Sequence, residues 1–183
     1  QVLNFSGNPT GERGGEVIVS GELRSLEELN MSGCQLGDHG VKILAHGLKG
    51  DGLRCLDLSK GTSDMSSGLW GASGDAKAIL DRGLMAIAEV NVLTELESLD
   101  LSHHHLSRDG FEALFQDSGL PRLRRLELRH VVVENADFEI LGRSAGLIGL
   151  ESLNLTGVPL TASALESLGQ AADSLPALRR LSL

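Results

Sequence analysis

The sequence predicts an α/β solenoid: a parallel sheet of about seven short strands along one face and helices along the other. Three observations carry that prediction. A pattern, L-x-x-L-x-L, recurs from one end of the chain to the other. Its copies stand at a nearly constant interval. Between them lie stretches whose apolar residues follow helical spacing.

The copies begin at Leu26, Leu53, Leu96, Leu123, Leu150 and Leu178, and Val2-Leu3-Asn4-Phe5-Ser6 opens the chain in the same phase. The steps are 27, 43, 27, 27 and 28 residues, so one step carries an insertion of 16 in an otherwise regular array. A period in the upper twenties accommodates a strand and a true helix in every repeat. Within each L-x-L the leucines point inward and the residue between them faces outward, as strand alternation requires. Behind the strand, Leu36, Val41, Leu44 and Leu48 share a helical face that starts near Asp38, a residue type that caps helices. Residues 106–114 repeat the design.

These residues resemble the ribonuclease-inhibitor-like class of leucine-rich repeats. The helix half of that class reads L-G-D-x-G-x-x-x-L-A, and Leu36-Gly37-Asp38-His39-Gly40-Val41-Lys42-Ile43-Leu44-Ala45 matches it. The class includes the sensor repeats of NOD-like receptors and the Ran GTPase-activating proteins. The resemblance implies a horseshoe with the sheet on its concave face. It covers nearly the whole chain, with one departure. The class places Asn or Cys three residues after the last strand leucine, where the side chain bonds neighbouring turns. That column here reads Asn8, Cys34, Gly61, His104, Val131 and Val158. Only the first two fit, so we expect an interrupted side-chain ladder, later turns held by backbone bonds, and His104 turned inward.

Taken in order, residues 1–25 form a weak first repeat, whose glycines and β-branched Val17-Ile18-Val19 predict a short or irregular helix. Residues 26–52 are the most regular repeat. The insertion occupies 60–76 and is Gly/Ser-rich, a loop composition. A helix resumes across 77–90, and further helices are expected near 108–116, 134–145 and 161–173. Residues 1–183 therefore read as one repeat array. Both ends stop inside a strand motif with no polar cap, so the array reads as an excerpt of a longer solenoid.

The bulk properties narrow the function. With 25 acidic against 16 basic residues the net charge is −9, which argues against nucleic acid, whose phosphates need clustered cations. No apolar run reaches the roughly 18 residues of a membrane span. Four Phe, one Trp and no Tyr predict a core of stacked leucine rows. Cys34 and Cys55 lie roughly 20 Å apart in register and should be free thiols, which points to a reducing, intracellular compartment such as the cytoplasm.

No catalytic or cofactor set emerges. His103-His104-His105 are consecutive, so they cannot converge on one metal ion from a strand. The stretch Gly68-Leu69-Trp70-Gly71-Ala72-Ser73-Gly74-Asp75-Ala76-Lys77 lacks the G-K-[ST] ending of a phosphate loop. Three glycosylation sequons, at Asn4, Asn30 and Asn154, are products of the repeat itself. No Ser/His/Asp or Cys/His arrangement follows from the repeat geometry.

What remains is surface. The outward column between the strand leucines reads Asn4, Asn30, Asp57, Asp100, Glu127, Asn154 and Ser182, acidic in the middle through Asp57, Asp100 and Glu127. It becomes basic near Arg125 and Arg129. The insertion carries Trp70, with Leu69 and Met65, in a stretch otherwise small and polar, and a Trp anchor commonly dominates an interface. These two surfaces are the expected partner-binding residues. The expected function is a non-catalytic protein–protein interaction module or scaffold segment, a subunit of a larger protein or complex. The alternative is a regulator of a GTPase or NTPase, by analogy with the Ran GTPase-activating proteins and NOD-like receptors. Finally, Glu27, Arg54, Glu97, Arg124, Glu151 and Arg179 alternate in sign down one column, which predicts a row of cross-strand ion pairs.

Overall fold

Seven three-residue strands, each centred on a leucine, form a single parallel sheet in the order of the chain. The strands are β1 (Val2–Asn4), β2 (Glu28–Asn30), β3 (Cys55–Asp57), β4 (Ser98–Asp100), β5 (Arg125–Glu127), β6 (Ser152–Asn154) and β7 (Arg180–Ser182). The structure is a computed structural model and describes residues 1–21, 23–48, 52–61, 79, 81–89, 93–116, 120–132, 138–143 and 147–183. Leu3, Leu29, Leu56, Leu99, Leu126, Leu153 and Leu181 stand opposite one another across all six pairings. The register is unbroken from β3 to β4, so the 43-residue step is absorbed entirely outside the sheet.

Five of the strands end in a residue that starts a local turn. Asn4, Asn30, Asp57, Asp100 and Asn154 each accept a hydrogen bond through Oδ1 from the N–H two residues on, at 2.8–3.0 Å. This local bond competes with continued pairing and bends the chain inward. It explains why the strand column favours Asn and Asp, and why Ser or Thr follows two residues later. Ser59 and Ser102, which simple strand alternation would place outside, are buried in the middle of the array, whereas Ser6 and Thr156 make the same turn and stay exposed. The next turn residue has positive φ: Gly7, Gly33 and Gly157 in three repeats, His103 (67°) and His130 (51°) in two others.

Six helices are described: α1 (Glu12–Ser20), α2 (Gly37–Gly47), α3 (Asp81–Glu89), α4 (Arg108–Gln116), α5 (Phe138–Arg143) and α6 (Ala162–Ala172). Each lays an apolar stripe on the sheet. Val41 and Leu44 of α2, Leu84 and Ile87 of α3, and Leu168 of α6 are buried there. The leucine rows are joined by an aromatic cluster, Phe111, Phe115 and Phe138, packed edge to face with centroids 4.7 and 6.4 Å apart. Beneath α4 and α5 the core is thus aromatic as well as leucine-rich.

Of the short or irregular helix expected in the first repeat, the structure gives a continuous helix of nine residues, α1, against eleven in α2 and α6. Its glycines, which cost about 1 kcal/mol each in helix propensity, are what tertiary packing requires. A methyl group at Gly15 would lie 2.6 Å from the Gly40 carbonyl oxygen, so only glycine lets α1 settle on α2. Among the described residues, no helix is long and apolar enough to cross a membrane.

Candidate interaction face

The outer faces of β1 to β5 form a shallow groove of about 290 Å³. Glu28, Asp57, Asp100 and Glu127 line it, with Cys55 and Ser98 between them. The groove thus brings together the three acidic residues singled out from the sequence. Glu28, Cys55 and Ser98 were not singled out, although they share a strand face with those acids by simple period-2 alternation.

The acids are held differently. Asp57 accepts from the Ser59 N–H at 3.0 Å and from Ser59 Oγ at 2.7 Å. Ser32 Oγ lies 2.8 Å from Ser59 Oγ, extending the chain of hydroxyls to the next strand. Burial pushes the Asp57 carboxyl above its usual range, the Ser59 hydrogen bonds oppose the shift, and the Asp100 carboxylate adds to it. Arg129 reaches across to Asp100 of the preceding strand at 3.1 Å and to Glu127 of its own repeat at 3.4 Å. Glu127, which cannot form the short Asx turn, instead accepts from Asn154 Nδ2 at 2.8 Å. Both arginines expected to make one end of this face basic are exposed, but Arg129 is paired with Asp100 and Glu127. Arg129 is spent on its neighbours.

At the edge of the sheet the sign-alternating column closes in pairs. Arg54 bonds Glu97 at 2.7 Å and Arg124 bonds Glu151 at 2.5 Å. Glu27 meets the terminal ammonium of Gln1 at 3.4 Å. Each guanidinium commits to the carboxylate of the following repeat, so discrete pairs replace a continuous row. The Arg54 hydrogen bonds hold the Glu97 carboxyl below its usual range. Arg122 and Glu95 form a further pair beside this column.

The ladder column shows how a departure from the repeat is accommodated. Cys34 is fully buried, and its Sγ lies 3.2 Å from the Phe5 carbonyl of the preceding repeat. His104 does the same work with a larger ring. Its Nε2 lies 2.8 Å from the Leu58 carbonyl, and its Nδ1 accepts from the Ile79 N–H at 3.3 Å. An acceptor Nδ1 fixes the neutral tautomer with the proton on Nε2. Burial pushes the His104 pKa down to about 4. Cys34 and His104 thus bond across repeats, whereas Asn8 Nδ2 donates to the Phe5 and Ser6 carbonyls of its own turn at 2.9 and 3.3 Å. Val131 and Val158 rely on backbone bonds, to Leu128 and Leu155.

His103 and His130 stack on each other with centroids 5.0 Å apart and planes at 16°. Among the described residues no three His, Cys, Asp or Glu side chains are grouped to hold a metal ion. Cys34 and Cys55 are both free thiols. Met65, Leu69 and Trp70, the expected anchors in the insertion, lie outside the described residues.

A single parallel sheet of leucine-centred strands, stapled turn by turn and backed by helices, defines a leucine-rich repeat solenoid. The Leucine Rich repeat family profile matches residues 22–45 and 92–115, and the chain is a leucine-rich repeat protein whose helical repeats fit the ribonuclease-inhibitor-like class. The fold is similar to that of the tropomodulin C-terminal domain of Caenorhabditis elegans, with a TM-score of 0.59 over 91% of this chain and 92% of that one. At 12% identity the likeness is one of fold. No curated protein matches the chain.

Proposed function

We propose that this chain is a non-catalytic protein-interaction module that works as a scaffold segment in a larger protein or complex. The observation that carries the reading is the groove across β1–β5, where Glu28, Asp57, Asp100 and Glu127 present carboxylates along a rigid sheet. Rigid strands hold such groups in place without the entropy cost of ordering a loop. The partner face this favours is basic, since like charge opposite the groove would be repelled. The insertion, through Trp70 with Leu69 and Met65, supplies an apolar anchor by its composition, and Arg125 contributes from β5. The free thiols favour a reducing, intracellular compartment.

The test is affinity capture followed by titration of the captured partner. Asp57→Asn, Asp100→Asn and Glu127→Gln are combined in one variant, which keeps the turns because Asn already makes them at positions 4, 30 and 154. Partner affinity should fall at least tenfold and lose its salt dependence. Trp70→Ala should cost at least about 2 kcal/mol of affinity with the fold unchanged. Wild-type affinity in both variants would reject the reading.

A further inference from the structure

One buried side chain joins two stretches of backbone that the insertion separates. His104 Nε2 donates to the Leu58 carbonyl at 2.8 Å, on the exit from β3, and its Nδ1 accepts from the Ile79 N–H at 3.3 Å, on the entry to α3. Leu58, Ile79 and His104 are all buried. The exit is held twice more by backbone bonds, from the Leu58 N–H to the Asp100 carbonyl and from the Lys60 N–H to the Ser102 carbonyl. On the entry the Ile79 amide rests on the ring.

The next repeat makes the same joint without a side chain. Matching Gly83 to Gly110 places Ile79 at the position of Leu106, whose N–H donates to the Val132 carbonyl of the following repeat at 3.1 Å. A carbonyl accepts at every pH, and an imidazole nitrogen does not. A proton on Nδ1 turns that acceptor into a donor and sets it against the Ile79 N–H, a second donor. The charge would arrive near Lys60 and His103. Asp100, the carboxylate that faces it, is already bonded to Arg129 and to the Ser102 N–H. The void beside the ring measures about 10 Å³, room for about one water, with Gln35, Ser59 and Lys60 in its wall. Burial, opposed by the Leu58 carbonyl, therefore keeps the closed ring neutral down to about pH 4. A ring freed to water regains its ordinary 6.5, so opening becomes easier as pH falls from 6.5 toward 4.

We propose that His104 is an acid-released latch: its neutral ring fastens the entry of α3 to the fourth repeat, and a proton on Nδ1 lets that entry open while the sheet stays closed. The exit from β3 does not follow, because its two backbone bonds to the fourth repeat do not titrate.

The test is native-state amide exchange of the full chain at pH 7 and pH 5, corrected for intrinsic rates, in rising low denaturant. Protection at Ile79 and at Gly83, whose N–H donates to Asp38 in the first turn of α2, should be at least about tenfold lower at pH 5 and indifferent to denaturant. The sheet amides of Met31 and Leu128, on either side of the insertion, should stay at least about tenfold better protected and respond to denaturant. His104→Gln can donate to Leu58 and accept from Ile79 but does not titrate, so it should abolish the pH effect at Ile79. Nitrogen-15 shifts of the wild-type ring read its titration without any substitution. Four results would overturn the proposal. One is equal protection of Ile79 at the two pH values. Another is exchange of Ile79 and Gly83 in step with Met31 and Leu128 at every denaturant concentration, which is global unfolding alone. The third is a pH effect that survives in a folded His104→Gln chain, and the last is a folded wild-type ring that titrates at its ordinary value.

Discussion

His104 stands where the repeat asks for Asn or Cys, and its burial gives the molecule a pH dependence. Its pKa falls from the ordinary 6.5 to about 4 on folding, so the unfolded chain binds the extra proton first. Stability is therefore undiminished above pH 6.5 and declines as pH falls toward 4, by about 3 kcal/mol at most. Chemical denaturation between pH 7 and 4 should show that slope, and His104→Leu should flatten it. The same substitution should cost about 1–3 kcal/mol at pH 7, because the Leu58 carbonyl and the Ile79 N–H lose their partner. Asp57 behaves in the opposite sense. Its carboxyl is raised by burial, so ionising it in the folded chain carries a cost that Asn would not bear. Asp57→Asn keeps the turn to Ser59 and should raise the midpoint by about 1–3 °C at pH 7, with the gain vanishing in acid.

The helices are decided by what lies in front of each glycine. Gly110 faces the Asp81 backbone and Leu84 Cδ1, both 3.0 Å from where a Cβ would sit. Gly110→Val should cost more than about 2 kcal/mol in spite of its better helix propensity, measured by thermal unfolding. Gly169 in α6 has nothing within 4 Å, so Gly169→Ala should instead stabilise by about 0.5–1 kcal/mol. The strands carry a weaker lesson in electrostatics. Arg124 and Glu151 touch at 2.5 Å, but both are exposed. Replacing either by Ala should move stability by less than about 1 kcal/mol, so the pair aligns repeats more than it holds them.

At the scale of the molecule the array tolerates a large interruption. Leu56 and Leu99 keep the same register as any other pair of neighbours although 43 residues separate them. Nothing in the sheet depends on the length between them, and the entropy of a longer loop grows only slowly. Deleting residues 61–74 should leave the far-ultraviolet dichroism unchanged and the midpoint within about 3 °C. A collapse of the fold on deletion would mean that the insertion packs on the solenoid rather than projecting from it.

The periodicity of the sequence was enough to determine the architecture, the seven strands, their register and the inward leucines, because each is set by spacing that recurs. It also marked Cys34 and His104 as inward-facing, since a column shared by all repeats has one orientation. Asp57, Asp100 and Glu127 could be placed on one face for the same reason. Tertiary structure alone decided what breaks the period. The helicity of α1 comes from the close approach of Gly15 to Gly40, which local propensity opposes. The burial of Ser59 and Ser102 goes with hydroxyl contacts to neighbouring repeats, Ser59 to Ser32 Oγ and Ser102 to the Arg129 N–H. The pairing of Arg129 with Asp100 comes from a carboxylate brought to it across the neighbouring strand. Each depends on contacts between residues distant in the chain or on a turn geometry, and a column of residue types specifies neither.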